Sequence, residues 1–205
     1  MKGFFYGQSE YYFLNSSNKI EDYVKMAKKN SFDFLTITDN NLYGSYKFYK
    51  ECIKNNIKPI IGLEFSFMYG LETNESKLLI YAKNNQGFND LLKLDSKIKI
   101  DNKSTIDLIA KNDNLIYIFV FDDSFLERSF MNSYQSLDND FELVKELNAY
   151  VGLSYTNNFN KYDININVEK YCRMNHIKFM NIHKCLYLNK EDRIIYETLN
   201  KINEK

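Results

Sequence analysis

The chain has 205 residues, enough for one sizeable core and too few for two comfortable domains, so a single domain over residues 1–205 is expected. Its 27 Lys and Arg balance its 27 Asp and Glu, which excludes the strong overall field that draws a protein nonspecifically onto nucleic acid or an anionic membrane. No run approaches the roughly 20 apolar residues of a bilayer span, and the N-terminus turns polar at Gly7 and Gln8, too early for a signal-peptide core; a cytoplasmic protein with no membrane partner is expected.

In chain order, strand and helix signals alternate. Gly3 to Tyr6 is a short apolar run, and Ser17 or Asn18 is placed to cap a helix starting near Lys19, along which Ile20, Tyr23, Val24 and Ala27 recur at helical spacing. Phe34 to Thr38 reads as a strand, Gly44 to Asn55 as a helix, and Lys58 to Phe65 as a second strand with Pro59 tolerated near its start. Leu78 to Ala82 and Leu115 to Phe121 are continuous apolar runs of the kind buried on both faces. The helices between them carry Phe88, Leu91 and Leu92, then Ile106, Leu108 and Ile109. Tyr150 to Tyr155 and Lys178 to Ile182 read as strands, Val168 to Asn175 and Glu191 to Asn203 as helices, and the Asn-rich stretches 72–76, 112–114 and 156–167 as loops. Strands recurring to the end favour an α/β barrel, closed or nearly so, over an open doubly wound sheet.

Two strands end on carboxylates, Asp39 and Glu64, where parallel α/β folds collect their ligands. The plainer expectation is that each caps the following helix or pairs with a lysine. Asp122 and Asp123 end another strand and are expected to cap the helix behind them. Tyr11, Tyr12 and Phe13 offer stacking faces without interleaved cations, which favours packing over single-strand binding. Cys52, Cys172 and Cys185 form no C-x-x-C pair and read as reduced, packed thiols. The spacings Cys172/His176 and His183/Cys185 lack the partners a four-coordinate zinc needs.

Several blocks together carry a resemblance. They are Ser9-Glu10-Tyr11, Thr38-Asp39-x-x-Leu42-Tyr43-Gly44, Phe48-Tyr49-Lys50-x-Cys52, Ile57-Lys58-Pro59-Ile60-Ile61-Gly62-x-Glu64 and Ala82-Lys83-Asn84-x-x-Gly87-Phe88, followed near the end by Leu186-Tyr187-Leu188-Asn189-Lys190-Glu191-Asp192. In order and spacing the chain resembles the N-terminal PHP (polymerase and histidinol phosphatase) domain of the bacterial replicative DNA polymerase III α subunit. The resemblance implies a PHP-type distorted TIM-like barrel of about seven mostly parallel strands with outer helices. Where the family's site is intact, it implies a trinuclear zinc or manganese centre supporting phosphoesterase or 3′-to-5′ exonuclease chemistry.

Carried over residue by residue, that ligand set departs from the family. The first H-x-H falls on Tyr6-x-Gln8, the His after T-D falls on Asn40, and the terminal D-x-H falls on Lys184-Cys185-Leu186, while Asp39 and Glu64 keep their identity. The resemblance therefore implies a vestigial site of Tyr6, Gln8, Asp39, Asn40, Glu64, Lys184 and Leu186, with no catalytic residue, no bound metal and no cofactor. The implied role is a structural and protein-docking module in DNA replication. Its partners would be the remainder of the polymerase subunit and a proofreading exonuclease subunit, with DNA reached through the parent subunit. DNA-directed polymerisation, a nucleotidyltransferase activity, would belong to carboxylates elsewhere in that subunit. The rival expectations are a metal-dependent phosphoesterase or 3′-5′ exonuclease working from Asp39 and Glu64, and an interaction protein unrelated to replication.

Overall fold

The computed structural model describes residues 2–70, 74–101, 105–132, 134–155 and 159–203. The strands are β1 (Tyr6–Gly7), β2 (Phe34–Ile37), β3 (Lys58–Phe67), β4 (Ser76–Ala82), β5 (Leu115–Val120), β6 (Tyr150–Leu153), β7 (Lys178–Asn181) and β8 (Lys184–Cys185). The α-helices are α1 (Ile20–Lys29), α2 (Ser45–Lys54), α3 (Asn85–Asp101), α4 (Phe125–Asn132), α5 (Tyr134–Glu146), α6 (Phe159–Met174) and α7 (Arg193–Asn203). The chain divides into two compact units, Met1–Glu64 with His183–Lys205, and Phe65–Ile182.

In the first unit β2 pairs in parallel with β3 through Phe34↔Lys58 to Ile37↔Ile61, and β1 pairs in parallel with β8 through Tyr6↔Lys184. All four residues of β2 are buried, as its unbroken apolar run requires. Helix α1 buries Ile20, Tyr23, Val24 and Ala27 on one face, with Glu21 and Asp22 in its first turn and Lys28 and Lys29 in its last, where each sign of charge suits the helix dipole. Those four side chains join Leu35, Ile37, Phe48, Cys52 and Ile57 in one apolar cluster, so the faces of α1 and α2 meet over β2. Gly7 lets β1 approach this layer closely, since a Cβ there would stand 2.6 Å from the Thr36 carbonyl oxygen and 2.0 Å from the Tyr23 hydroxyl.

The expected cap of α1 is corrected. Lys19 holds the N-cap position without a side-chain cap, and Asn18 instead donates its Nδ2 to the carbonyls of Gln8 (3.2 Å) and Cys185 (3.4 Å), tying the loop to β1 and β8.

In the second unit β5, β6 and β7 run parallel, while β4 lies antiparallel to β5 from Leu78↔Phe119 to Ala82↔Leu115. The link from Phe67 to Ser76 is shorter than the dozen or so residues a parallel crossover takes, which accounts for the reversal within a mostly parallel pattern. The core here is aromatic: Phe67 meets Phe119 (6.1 Å between centroids) and Phe125 (5.9 Å) edge-on, beside the fully buried Leu78, Leu79 and Ile80.

Two expectations are revised in this unit. Residues 106–108 form a single 3₁₀ turn and no α-helix. Residues 159–167, expected as loop, are the first half of α6, in which Asn165 is buried. Its Nδ2 donates to the Ser154 carbonyl at 3.0 Å, so an amide fills a position where periodicity looks for an apolar side chain. Residues 156–158 of that expected loop, and 72–73 of the earlier one, lie outside the described residues.

Candidate functional site

The first unit brings its carboxylates together. Beyond Ile37 the β2 segment runs on through the buried Thr38 to Asp39, whose carbonyl accepts from the Glu64 amide at 2.9 Å. Thr38 donates both its amide (2.7 Å) and its hydroxyl (2.9 Å) to the Gly7 carbonyl, which draws the end of β1 onto the same place. Glu64 is not a strand terminus as expected. It lies within β3, which continues to Phe67, but it stands past the last residue paired with β2, Ile61.

Glu64, 3% exposed, accepts from the Tyr6 hydroxyl at 2.5 Å and the Gln8 amide at 2.7 Å on Oε2, and from the Tyr12 hydroxyl at 2.9 Å on Oε1. Asp39, 1% exposed, accepts from the Ser9 amide at 2.7 Å on Oδ1 and from the Ser9 hydroxyl at 2.5 Å on Oδ2. Asp39 therefore neither caps α2, whose N-cap is Gly44, nor pairs with a lysine as expected. Burial pushes its pKa up from 3.8 to about 7, the Ser9 hydrogen bonds pull the other way, and the charge of neighbouring Glu64 adds to the rise.

The remaining positions implied by resemblance are less central. The Lys184 Nζ lies over the Tyr6 ring, 5.4 Å from its centroid, a cation–π contact set up by the Tyr6↔Lys184 register. Leu186 is half-buried just past β8. Asn40 is exposed, and its Oδ1 accepts from Asn41 Nδ2 at 2.9 Å. Two residues of the cluster, Ser9 and Tyr12, are not among the sequence candidates. Ser9 lies inside a family block and Tyr12 reads as packing, because the cue for both is the loop in which the Tyr12 amide donates to the Ser9 carbonyl at 2.9 Å.

The other candidate groups resolve separately. The helix behind Asp122 and Asp123 is capped by Ser124, whose Oγ accepts from the amides of Leu126 (3.1 Å) and Glu127 (3.3 Å), correcting the expected aspartate cap. Asp122 is half-buried with its pKa raised, desolvation being the main cause. Cys172 is buried in α6 while His176 is exposed beyond its end with φ +55°, and His183 is exposed. Burial pushes the Cys52 and Cys172 thiols up to about 12 and Cys185 to about 11, away from nucleophilic reactivity. Among the described residues no group of three or more His, Cys, Asp or Glu is placed to hold a metal ion. Among them, too, no helix is long and apolar enough to cross a membrane.

With this geometry in view, the comparisons with known proteins are specific. The DNA polymerase III subunit alpha of Staphylococcus aureus (strain Mu50 / ATCC 700699) is 48% identical over 113 residues, which is 53% of this chain and 10% of that protein. That of Halalkalibacterium halodurans is 36% identical over 124 residues, 58% of this chain and 11% of that protein. The matched stretch thus spans about a tenth of these relatives. Among solved structures, a Bifidobacterium adolescentis protein described as a metal-dependent phosphoesterase superposes with TM-score 0.55 at 8% identity, over 92% of this chain and 88% of that one. An amidohydrolase from Chromobacterium violaceum gives TM-score 0.53 at 6% identity, over 97% of each chain. At such identities the likeness is one of fold, and it is the α/β, TIM-like fold expected of this sequence. Residues 7–147 match the family model of the PHP domain, and the chain belongs to that family.

Proposed function

We propose that residues 1–205 are a single PHP domain whose metal site has degenerated, serving as a structural and docking module of a cytoplasmic DNA polymerase III α subunit in replication. The observation that carries this reading is what Tyr6 and Gln8 do at the positions aligned with histidine ligands: both donate hydrogen bonds to Glu64 Oε2. A donor O–H or N–H supplies to a buried carboxylate part of what a cation supplies, and points a hydrogen where a dication would need a lone pair. Tyr12 and Ser9 extend the same substitution to Glu64 Oε1 and to Asp39. An ammonium at Lys184, over the Tyr6 ring, further opposes dications by charge. The residues present do not fit a trinuclear centre, and no hydrolytic step is assigned to them.

On this reading the partners are the remainder of the polymerase subunit and a proofreading exonuclease subunit, with DNA engaged through the parent subunit. The support for the first is that the matched relatives are polymerase subunits about ten times longer than the match. The test is catalytic. Purified protein should neither degrade a labelled single-stranded oligonucleotide from its 3′ end nor hydrolyse a phosphomonoester with added zinc, manganese or magnesium. Manganese-dependent degradation that Asp39→Ala abolishes, with the circular dichroism spectrum intact, would establish the rival reading of a reduced-site phosphoesterase.

A further inference from the structure

The second unit, taken by itself, holds a cleft of about 130 Å³, and none of its lining residues belongs to the cluster around Glu64. It lies at the N-terminal ends of β5, β6 and β7, where Leu115, Tyr150 and Lys178 begin their strands. Its charged lining consists of three lysines, Lys83, Lys111 and Lys178, against one carboxylate, Asp113. In a chain of zero net charge this is a local positive excess.

Two of the lysines are held in place by neutral groups. Lys83 Nζ donates to the Asp113 carbonyl at 2.8 Å. Lys178 Nζ donates to the side-chain oxygen of Asn148, which sits in a left-handed turn at φ +52°, and lies 5.5 Å from the Tyr150 ring centroid. An ammonium has three N–H donors, so both retain donors for a ligand. Fixing a lysine costs side-chain entropy, and a carbonyl or amide acceptor leaves its charge uncompensated. The Asp113 carboxylate offsets one of the three charges. Asp90, outside the lining, accepts from the Asn112 amide at 2.9 Å.

We propose that this cleft binds a single phosphate group, with Lys83, Lys111 and Lys178 supplying charge-assisted N–H donors. Lysine binds phosphate as a point charge, and three such charges around one small volume favour a multiply charged oxyanion over chloride. A cleft of about 130 Å³ has room for one tetrahedral oxyanion.

Inorganic phosphate and a 5′-phosphorylated thymidine trinucleotide, titrated separately into the ¹⁵N-labelled 205-residue chain at low ionic strength, test the assignment and distinguish a free phosphate from one carried on a nucleic acid. At least one should give saturable amide shifts centred on Lys111–Leu115 and Asn148–Tyr150. Lys111→Met and Lys178→Met should each weaken that binding at least tenfold, with circular dichroism and thermal midpoint unchanged. Failure of both ligands to saturate, or shifts that persist equally in the two variants and mark an adventitious ion only, would overturn the proposal.

Discussion

Replacing Asp39 by Asn isolates the cost of a buried charge. The carboxyl pKa rises from 3.8 to about 7 in the fold. Between those values the folded state holds a proton that the unfolded chain has released. The associated stability is complete below pH 3.8 and is lost as pH rises toward 7, at ~1.4 kcal/mol per pH unit. Two of those pH units fall between pH 5 and pH 8, so wild type should lose about 2.7 kcal/mol across that interval through Asp39 alone. The substituted carboxamide would stay neutral throughout and keep both Ser9 contacts, accepting from the Ser9 amide with Oδ1 and donating to the Ser9 hydroxyl with Nδ2. Urea unfolding followed by circular dichroism at the two pH values, with m-values compared, gives the difference directly. The variant should gain about 2.7 kcal/mol on wild type between pH 5 and pH 8. A gap that is the same at both pH values would show that Asp39 is solvated or sits against a cation, and would refute the burial argument.

Further substitutions probe the same architecture. Tyr6→Phe removes a donor from Glu64 and leaves the ring in place beneath the Lys184 ammonium, and chemical denaturation should show a loss of about 1–3 kcal/mol. Gly7→Ala forces a methyl against the Thr36 carbonyl and should cost about 3 kcal/mol or more by the same assay, where a loss under about 0.5 kcal/mol would mean that β1 lies farther out. Ser124→Ala removes the cap of α4, for an expected loss of ~1 kcal/mol, whereas Asp123→Ala should leave the cap hydrogen bonds in place.

Much of the first unit was legible because its residues report their surroundings singly. The unbroken apolar run of β2 and the 3.6-residue spacing in α1 each correspond to a buried face, and those faces meet. Asp39 and Glu64 could be placed together because β2 and β3 pair in parallel, so the residues just past Ile37 and Ile61 fall on the same side. Their partners were harder to read. Tyr12 reaches Glu64 across 52 residues of sequence through a loop with no periodicity, and nothing in Tyr11-Tyr12-Phe13 distinguishes the ring that turns inward from Phe13, which is 80% exposed. In the second unit α5 went unrecognised although Leu137, Phe141 and Val144 recur at helical spacing, because the Asn and Asp residues around them weaken the helical signal. Helix α6 was shortened for a related reason, its inward Asn165 being satisfied by a carbonyl that only the folded chain supplies.

Metal stoichiometry tests the central claim most directly. The 205-residue chain is incubated with zinc or manganese, dialysed without chelator and analysed by elemental emission. The donors that Tyr6, Gln8 and Tyr12 aim at Glu64 predict far less than one ion per chain, unchanged in Asp39→Ala. One or more ions retained per chain, and lost in Asp39→Ala, would contradict the account and return the site to metal chemistry.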